Sequence, residues 1–188
     1  AAILLIWDSG VAQRNATVAT IDGEKVTAAQ VAYYYYNNDI IYYAQYYSQF
    51  GFAYPYSASR SPKDQVITES AASQLGLDEE YVGKTYHDYF LDSALNSLRQ
   101  EYALRAAAKE AGYTLSAAGK ESVEQALDSL DSTLETYLST YGANLTRTSY
   151  LQQVYGKSMS AGKYRTCLEN SQLASEYYTE HFDDLAAY

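Results

Sequence analysis

A chain of 188 residues and 21.0 kDa is enough for one domain of ordinary size or two small lobes. Its 23 acidic side chains outnumber 13 basic ones, for a net charge of −10. With no basic run or basic helix face, nucleic acid is a poor partner and anionic lipid headgroups would repel it. The single cysteine, Cys167, excludes an intrachain disulfide and leaves the redox compartment open.

The first seven residues, Ala1-Ala2-Ile3-Leu4-Leu5-Ile6-Trp7, are apolar and uncharged. They are too few to span a bilayer, which takes roughly 20 residues. They read as the outer end of a membrane anchor or signal segment, with Trp7 at the interface position. A stray hydrophobic arm is the plainer alternative. Residues 8–16 are polar and read as a tether, and residues 17–188 as one helical domain.

Val18-Ala19-Thr20-Ile21 combines branched and small residues and closes on Asp22-Gly23, which predicts a short strand entering a tight turn. A lone strand leaves its backbone groups unpaired, so its partner is expected outside this chain, or it has none. Thr27, followed by Gln30 three residues on, is a capping-box signature for a helix start. That helix carries Ala29, Tyr33, Tyr36, Ile40, Tyr43, Ala44, Tyr47 and Phe50 on one face. Tyrosine dominates the composition, with 23 Tyr against 4 Phe and 1 Trp. A phenol buries ring area but still needs a partner for its hydroxyl, which suits it to half-solvated surfaces and grooves more than to a dry core.

A loop follows at residues 51–60, with Pro55 and Pro62 in or beside it, and a short helical turn is expected within residues 64–77. Asp78-Glu79-Glu80 reads as a solvated helix start. Thr85 and Asp88 open the clearest helix, whose stripe is Phe90, Leu91, Ala94, Leu95, Leu98, Tyr102 and Ala106, and Gly112 ends it. Residues 116–131 bury Val123, Leu127 and Leu130. Leu134, Tyr137, Leu138 and Tyr141 then keep helical spacing up to Gly142. Residues 150–155 form a short helix stopped by Gly156. The last long helix starts near Ser160 and places Tyr164, Cys167, Leu168, Ser171, Ala174, Tyr178 and Phe182 on one face. The class is therefore all-α with one short N-terminal β-strand.

No catalytic constellation is readable, and no metal or cofactor site. His87 and His181 stand alone, without ligand spacing, and read as solvated or capping residues. Cys167 reads as a small buried hydrophobe. Neither a phosphate-cradling glycine loop nor a nucleophile elbow occurs.

Taken in order, several stretches resemble the SurA/PrsA-type extracytoplasmic foldases. Val18-Ala19-Thr20-Ile21-Asp22-Gly23-Glu24-Lys25-Val26-Thr27 is similar to the opening of their chaperone domain, and Ala107-Ala108-Lys109-Glu110-Ala111-Gly112-Tyr113-Thr114-Leu115-Ser116 to a joint between helices. Tyr141-Gly142, Tyr155-Gly156, Tyr164-Arg165 and Leu168 resemble a helical hairpin of that family. Glu176-Tyr177-Tyr178-Thr179-Glu180-His181-Phe182 resembles the segment before a parvulin isomerase domain, whose own residues have no counterpart here. Gly83-Lys84-Thr85-Tyr86-His87-Asp88-Tyr89-Phe90-Leu91-Asp92 resembles a tyrosine-rich, membrane-anchored branch.

The resemblance implies a SurA/trigger-factor-like helical lobe that holds unfolded or partly folded exported polypeptides outside the membrane, anchored by its N-terminal segment. It also implies that the strand pairs with chain returning after an isomerase domain. The expected client-binding residues are Tyr33, Tyr36, Tyr43, Tyr47 and Phe50. If that stripe is instead the packed face, Tyr34, Tyr35, Tyr42 and Tyr46 become the exposed set. Two other readings fit: the non-catalytic part of a parvulin-type prolyl isomerase, and a tyrosine-rich cell-surface module that associates with itself.

Overall fold

The computed structural model describes residues 17–21 and 23–182, so the apolar segment at 1–7 and the tether at 8–16 lie outside it. Two antiparallel strands come first, β1 (Thr17–Ile21) and β2 (Glu24–Thr27). Helix α1 (Ala28–Tyr34) continues through a π-helical turn (Tyr35–Ile40) into α2 (Ile41–Phe50). After α3 (Glu69–Leu75) come α4 (Tyr86–Glu110), α5 (Ala117–Tyr141), α6 (Arg147–Tyr155) and α7 (Ala161–Phe182). The protein is all-α with a short N-terminal sheet. Among the described residues no helix is long and apolar enough to cross a membrane.

The first strand is not an orphan. Ile21 pairs with Glu24, Thr20 with Lys25, Ala19 with Val26 and Thr17 with Thr27, with a bulge between Thr17 and Ala19. Gly23 takes φ +85° in the connecting turn, a region that glycine enters freely. The returning strand leaves little trace in sequence because Glu24 and Lys25 are exposed. Only Val26 turns fully inward.

Capping chemistry sets most helix boundaries. The Thr27 amide donates to Gln30 Oε1 (2.9 Å) and the Gln30 amide to Thr27 Oγ1 (3.4 Å). Thr85 and Asp88 make the same reciprocal pair at the start of α4. Gly142 ends α5 in the left-handed conformation. Residues 117–141, which read as two successive patterns, form one continuous helix capped by Ser116. Its last turns emerge from the packing, with Leu138 and Tyr141 exposed. On α7, Tyr177 and not Tyr178 joins Cys167 and Ala174 in the core, and on α4 Ala108 is buried where Ala106 is exposed.

The chain divides into two compact units. One comprises Tyr34–Ser97 and is called the tyrosine unit; the other comprises the described residues up to Tyr33 and from Leu98 onward, and is called the hairpin unit. In the hairpin unit, Tyr102 on α4 fastens the sheet. Its hydroxyl donates to the Lys25 carbonyl (3.2 Å) and accepts from Gln30 Nε2 (2.9 Å). Arg147 grips Asp131 with two guanidinium nitrogens, and Arg165 does the same to Glu124. Glu176 of α7 caps α5 from outside that helix. It accepts the Ser116 amide (3.1 Å) and hydroxyl (2.7 Å), which holds its carboxyl below the usual range against the opposing effect of burial.

Helices α5 and α7 meet at Gly119, where an added methyl carbon would stand 2.2 Å from Glu176 Oε1 and 2.6 Å from Leu115 Cδ1. Gly119→Ala is therefore expected to push the Glu176 carboxylate off the Ser116 amide and hydroxyl, and the lost cap, offset by alanine's better helix propensity, should cost the protein less than about 1 kcal/mol, read from the urea midpoint. Gly162→Ala, where the methyl would meet nothing within 4 Å, should not destabilise it.

Candidate functional site

The tyrosine unit is built around one ring. Tyr43 on α2 is 5% exposed and lies within 4.8–5.9 Å, centroid to centroid, of Phe90, Tyr56, Tyr86 and Tyr54. The rings meet tilted or edge to face, the geometry that their quadrupoles favour. Ile67, Ala71 and Ala72 complete this core. Burial, the neighbouring Tyr89 and the hydrogen bond to it all push the Tyr43 phenol well above its ordinary pKa.

The loop that supplies Tyr54 and Tyr56 is ordered by a buried glutamine. Gln65 accepts the Ser57 amide at 2.8 Å and donates to the carbonyls of Ser57 (2.9 Å) and Arg60 (3.1 Å). A backbone bridge between Val66 and Thr85 then ties the loop to the start of α4.

His87 is buried rather than solvated or capping. Its Nδ1 and the Tyr35 hydroxyl share a hydrogen bond of 2.8 Å, and burial together with the Lys63 charge pushes the imidazole below its usual pKa. His181 is exposed, and its Nδ1 shares a hydrogen bond with the Tyr177 carbonyl. Cys167 is buried in the hairpin unit, which pushes its thiol up to about 12 and keeps it un-ionised. Among the described residues, no group of three or more His, Cys, Asp or Glu side chains is gathered for a metal ion.

The five residues expected on one client-facing stripe separate. Tyr33 belongs to the hairpin unit, where its ring packs 6.1 Å from Tyr155 and 5.9 Å from Tyr164, and its hydroxyl bonds Ser171. Tyr43 is core in the tyrosine unit. Both are buried, with 8% of Tyr33 and 5% of Tyr43 exposed. Tyr36 and Tyr47 are half-buried, and Phe50 is 51% exposed. Of the alternative set only Tyr42 is exposed; Tyr34, Tyr35 and Tyr46 are half-buried.

An open aromatic surface forms from residues of both sets together with the loop. Tyr42, Tyr46, Phe50, Ala53, Tyr54, Gln74 and Leu75 line a cleft of about 320 Å³ within the tyrosine unit. Tyr46, Phe50 and Tyr54 lie nearly parallel, with centroids 5.7–6.5 Å apart and planes within 27°. Tyr42 leans on Tyr46 at 4.5 Å, and the two hydroxyls are hydrogen-bonded. Gln74 Nε2 donates to the Ala53 carbonyl at the cleft (3.3 Å). The rings touch one another, so they form a stepped apolar face and not a box that could enclose a cation. No charged side chain lines it. The cleft offers apolar contact and phenol hydrogen bonding and carries no acid, base or nucleophile pair. Tyr54 went unnoticed in sequence because it lies in a loop, beyond the reach of a helical wheel.

Comparison with protein-family models, with curated proteins and with solved structures returned no match.

The two classes of ring separate in a denaturation experiment. Tyr43→Ala should cost about 3–5 kcal/mol of stability. Phe50→Ala, at a half-exposed site, should cost less than about 1 kcal/mol in the same urea titration.

Proposed function

We propose that this protein is a non-catalytic polypeptide-binding module, the chaperone lobe of a membrane-anchored extracytoplasmic foldase, and that the cleft of the tyrosine unit is its capture surface. The observation that carries this reading is the set of nearly parallel, partly solvated rings of Tyr46, Phe50 and Tyr54, extended by Tyr42. Such a face takes up exposed apolar side chains of an unfolded chain, while the phenol hydroxyls and the Gln74 amide meet its backbone. Covering a half-exposed ring gains on the order of 1 kcal/mol, so several rings give weak, tolerant binding and not a specific lock. The uncharged lining and the acidic chain both favour an apolar or cationic polypeptide over a polyanion.

The residues assigned to capture are thus Tyr42, Tyr46, Phe50 and Tyr54, with Tyr36 half-buried in the π-turn, Tyr47 half-buried on α2, and Tyr33 and Tyr43 kept for packing. The test is suppression of aggregation of a chemically denatured client diluted into buffer. The intact protein should suppress light scattering in proportion to its concentration. The triple variant Tyr42→Ser, Tyr46→Ser, Phe50→Ser should lose most of that effect with an unchanged circular dichroism spectrum. Equal suppression by the variant would move capture elsewhere on the molecule. No suppression at any ratio, together with concentration-dependent dimerisation abolished by the same three changes, would make the cleft a self-association surface.

A further inference from the structure

One buried acid is used by neither the cleft nor the core. Asp39 lies inside the π-turn, four residues before Tyr43, and is 4% exposed. Its carboxyl is hydrogen-bonded to Ser93 of α4, but Oδ2 meets no donor. The phenols of Tyr35 in the same turn, Tyr43 on α2 and Tyr89 on α4 all feel its charge, and no cationic group among the described residues offsets its burial. The other titratable groups nearby are engaged elsewhere. Asp88 caps α4 under the influence of Lys84, and His87 bonds Tyr35 under that of Lys63. A carboxylate deprived of water and of a cation is unfavourable, whereas the neutral carboxyl suits the same place. The π-turn is held by the widened hydrogen bond from the Ile41 amide to the Tyr36 carbonyl, so Asp39 sits in a single-turn departure from α-geometry.

We propose that Asp39 is a proton-operated latch of the tyrosine unit: the π-turn closes over the protonated carboxyl, and ionisation opens the turn so that the carboxylate reaches water. Burial pushes the group up to about 7 in the closed form, against 3.8 when free in water. The closed form therefore retains a proton that the open form releases between those values. Raising the pH through this interval shifts the balance toward the open form by up to roughly tenfold per pH unit. Below it both forms are protonated and the effect is absent; above it the full penalty stands. Helix α2 begins at Ile41, directly after the latch, so the rings of Tyr42, Tyr46 and Phe50 are carried on the segment that loosens. The latch operates whatever the cleft binds.

Amide hydrogen-exchange protection across residues 35–50 of the full chain, taken between pH 5 and pH 8, tests it. The natural protein should lose more than tenfold protection over that range, while Asp39→Asn should keep a nearly constant value and exceed the natural protein at pH 8. Acid-side effects of His87 are common to both proteins and cancel in the comparison. Identical profiles would overturn the proposal. Should D39N fail to fold, the ¹³C carboxyl signal of Asp39 in the natural protein decides: a midpoint near 7 supports the latch, and one in the ordinary aspartate range overturns it.

Discussion

Burying a phenol is costly unless its hydroxyl finds a partner, and this cost shapes the molecule. Tyr43 hydrogen-bonds Tyr89, Tyr35 bonds His87, Tyr33 bonds Ser171, and Tyr102 sits between Gln30 and the Lys25 carbonyl. Each pairing joins segments far apart in sequence, so the hydroxyls specify which elements meet while the rings provide the buried area. A leucine core would bury comparable surface without this directional demand. Among the described residues Tyr86 departs from it, with its hydroxyl buried and unpartnered.

The same rule separates interior tyrosines from those left at the surface. Along α2, Tyr43 turns inward among rings from the loop and α4, while Tyr42 and Tyr46 bond each other at the rim and keep their outer faces in water. The loop closes over the far side of α2 because Gln65, itself buried, satisfies three backbone groups of that loop. Tyr54 is thereby brought beside Tyr46 and Phe50. The cleft is thus a by-product of packing: where the aromatic core runs out of partners, its last rings remain partly open.

Much of the fold was legible because its signals are local. Thr27 with Gln30, Thr85 with Asp88, and the glycines after α5 and α6 mark boundaries through hydrogen bonds spanning only a few residues. Val123, Leu127 and Leu130 betray the buried side of α5 through simple spacing. What stayed hidden depends on contacts distant in sequence. The strand β2 shows one inward residue, Val26, too little for an alternating pattern. The burial of His87 depends on Tyr35, 52 positions away. A helical wheel places Tyr33 and Tyr43 side by side but cannot reveal that they belong to different compact units. Asp39 stands one turn before Tyr43, a position that a wheel would assign to the same face, but an acidic side chain carries no sequence signal of burial.

An interior lined with phenols also sets an upper limit of alkalinity. Tyr43, Tyr35 and Tyr54 are each kept un-ionised by burial and by the charges their neighbours would carry, whereas in an unfolded chain the same groups shed protons near 10. Strong base therefore rewards exposure of several rings at once, and the first to ionise makes it harder for the next to stay neutral inside. A protein whose surface is already richly anionic would thus fail in alkali from its centre outward, and abruptly.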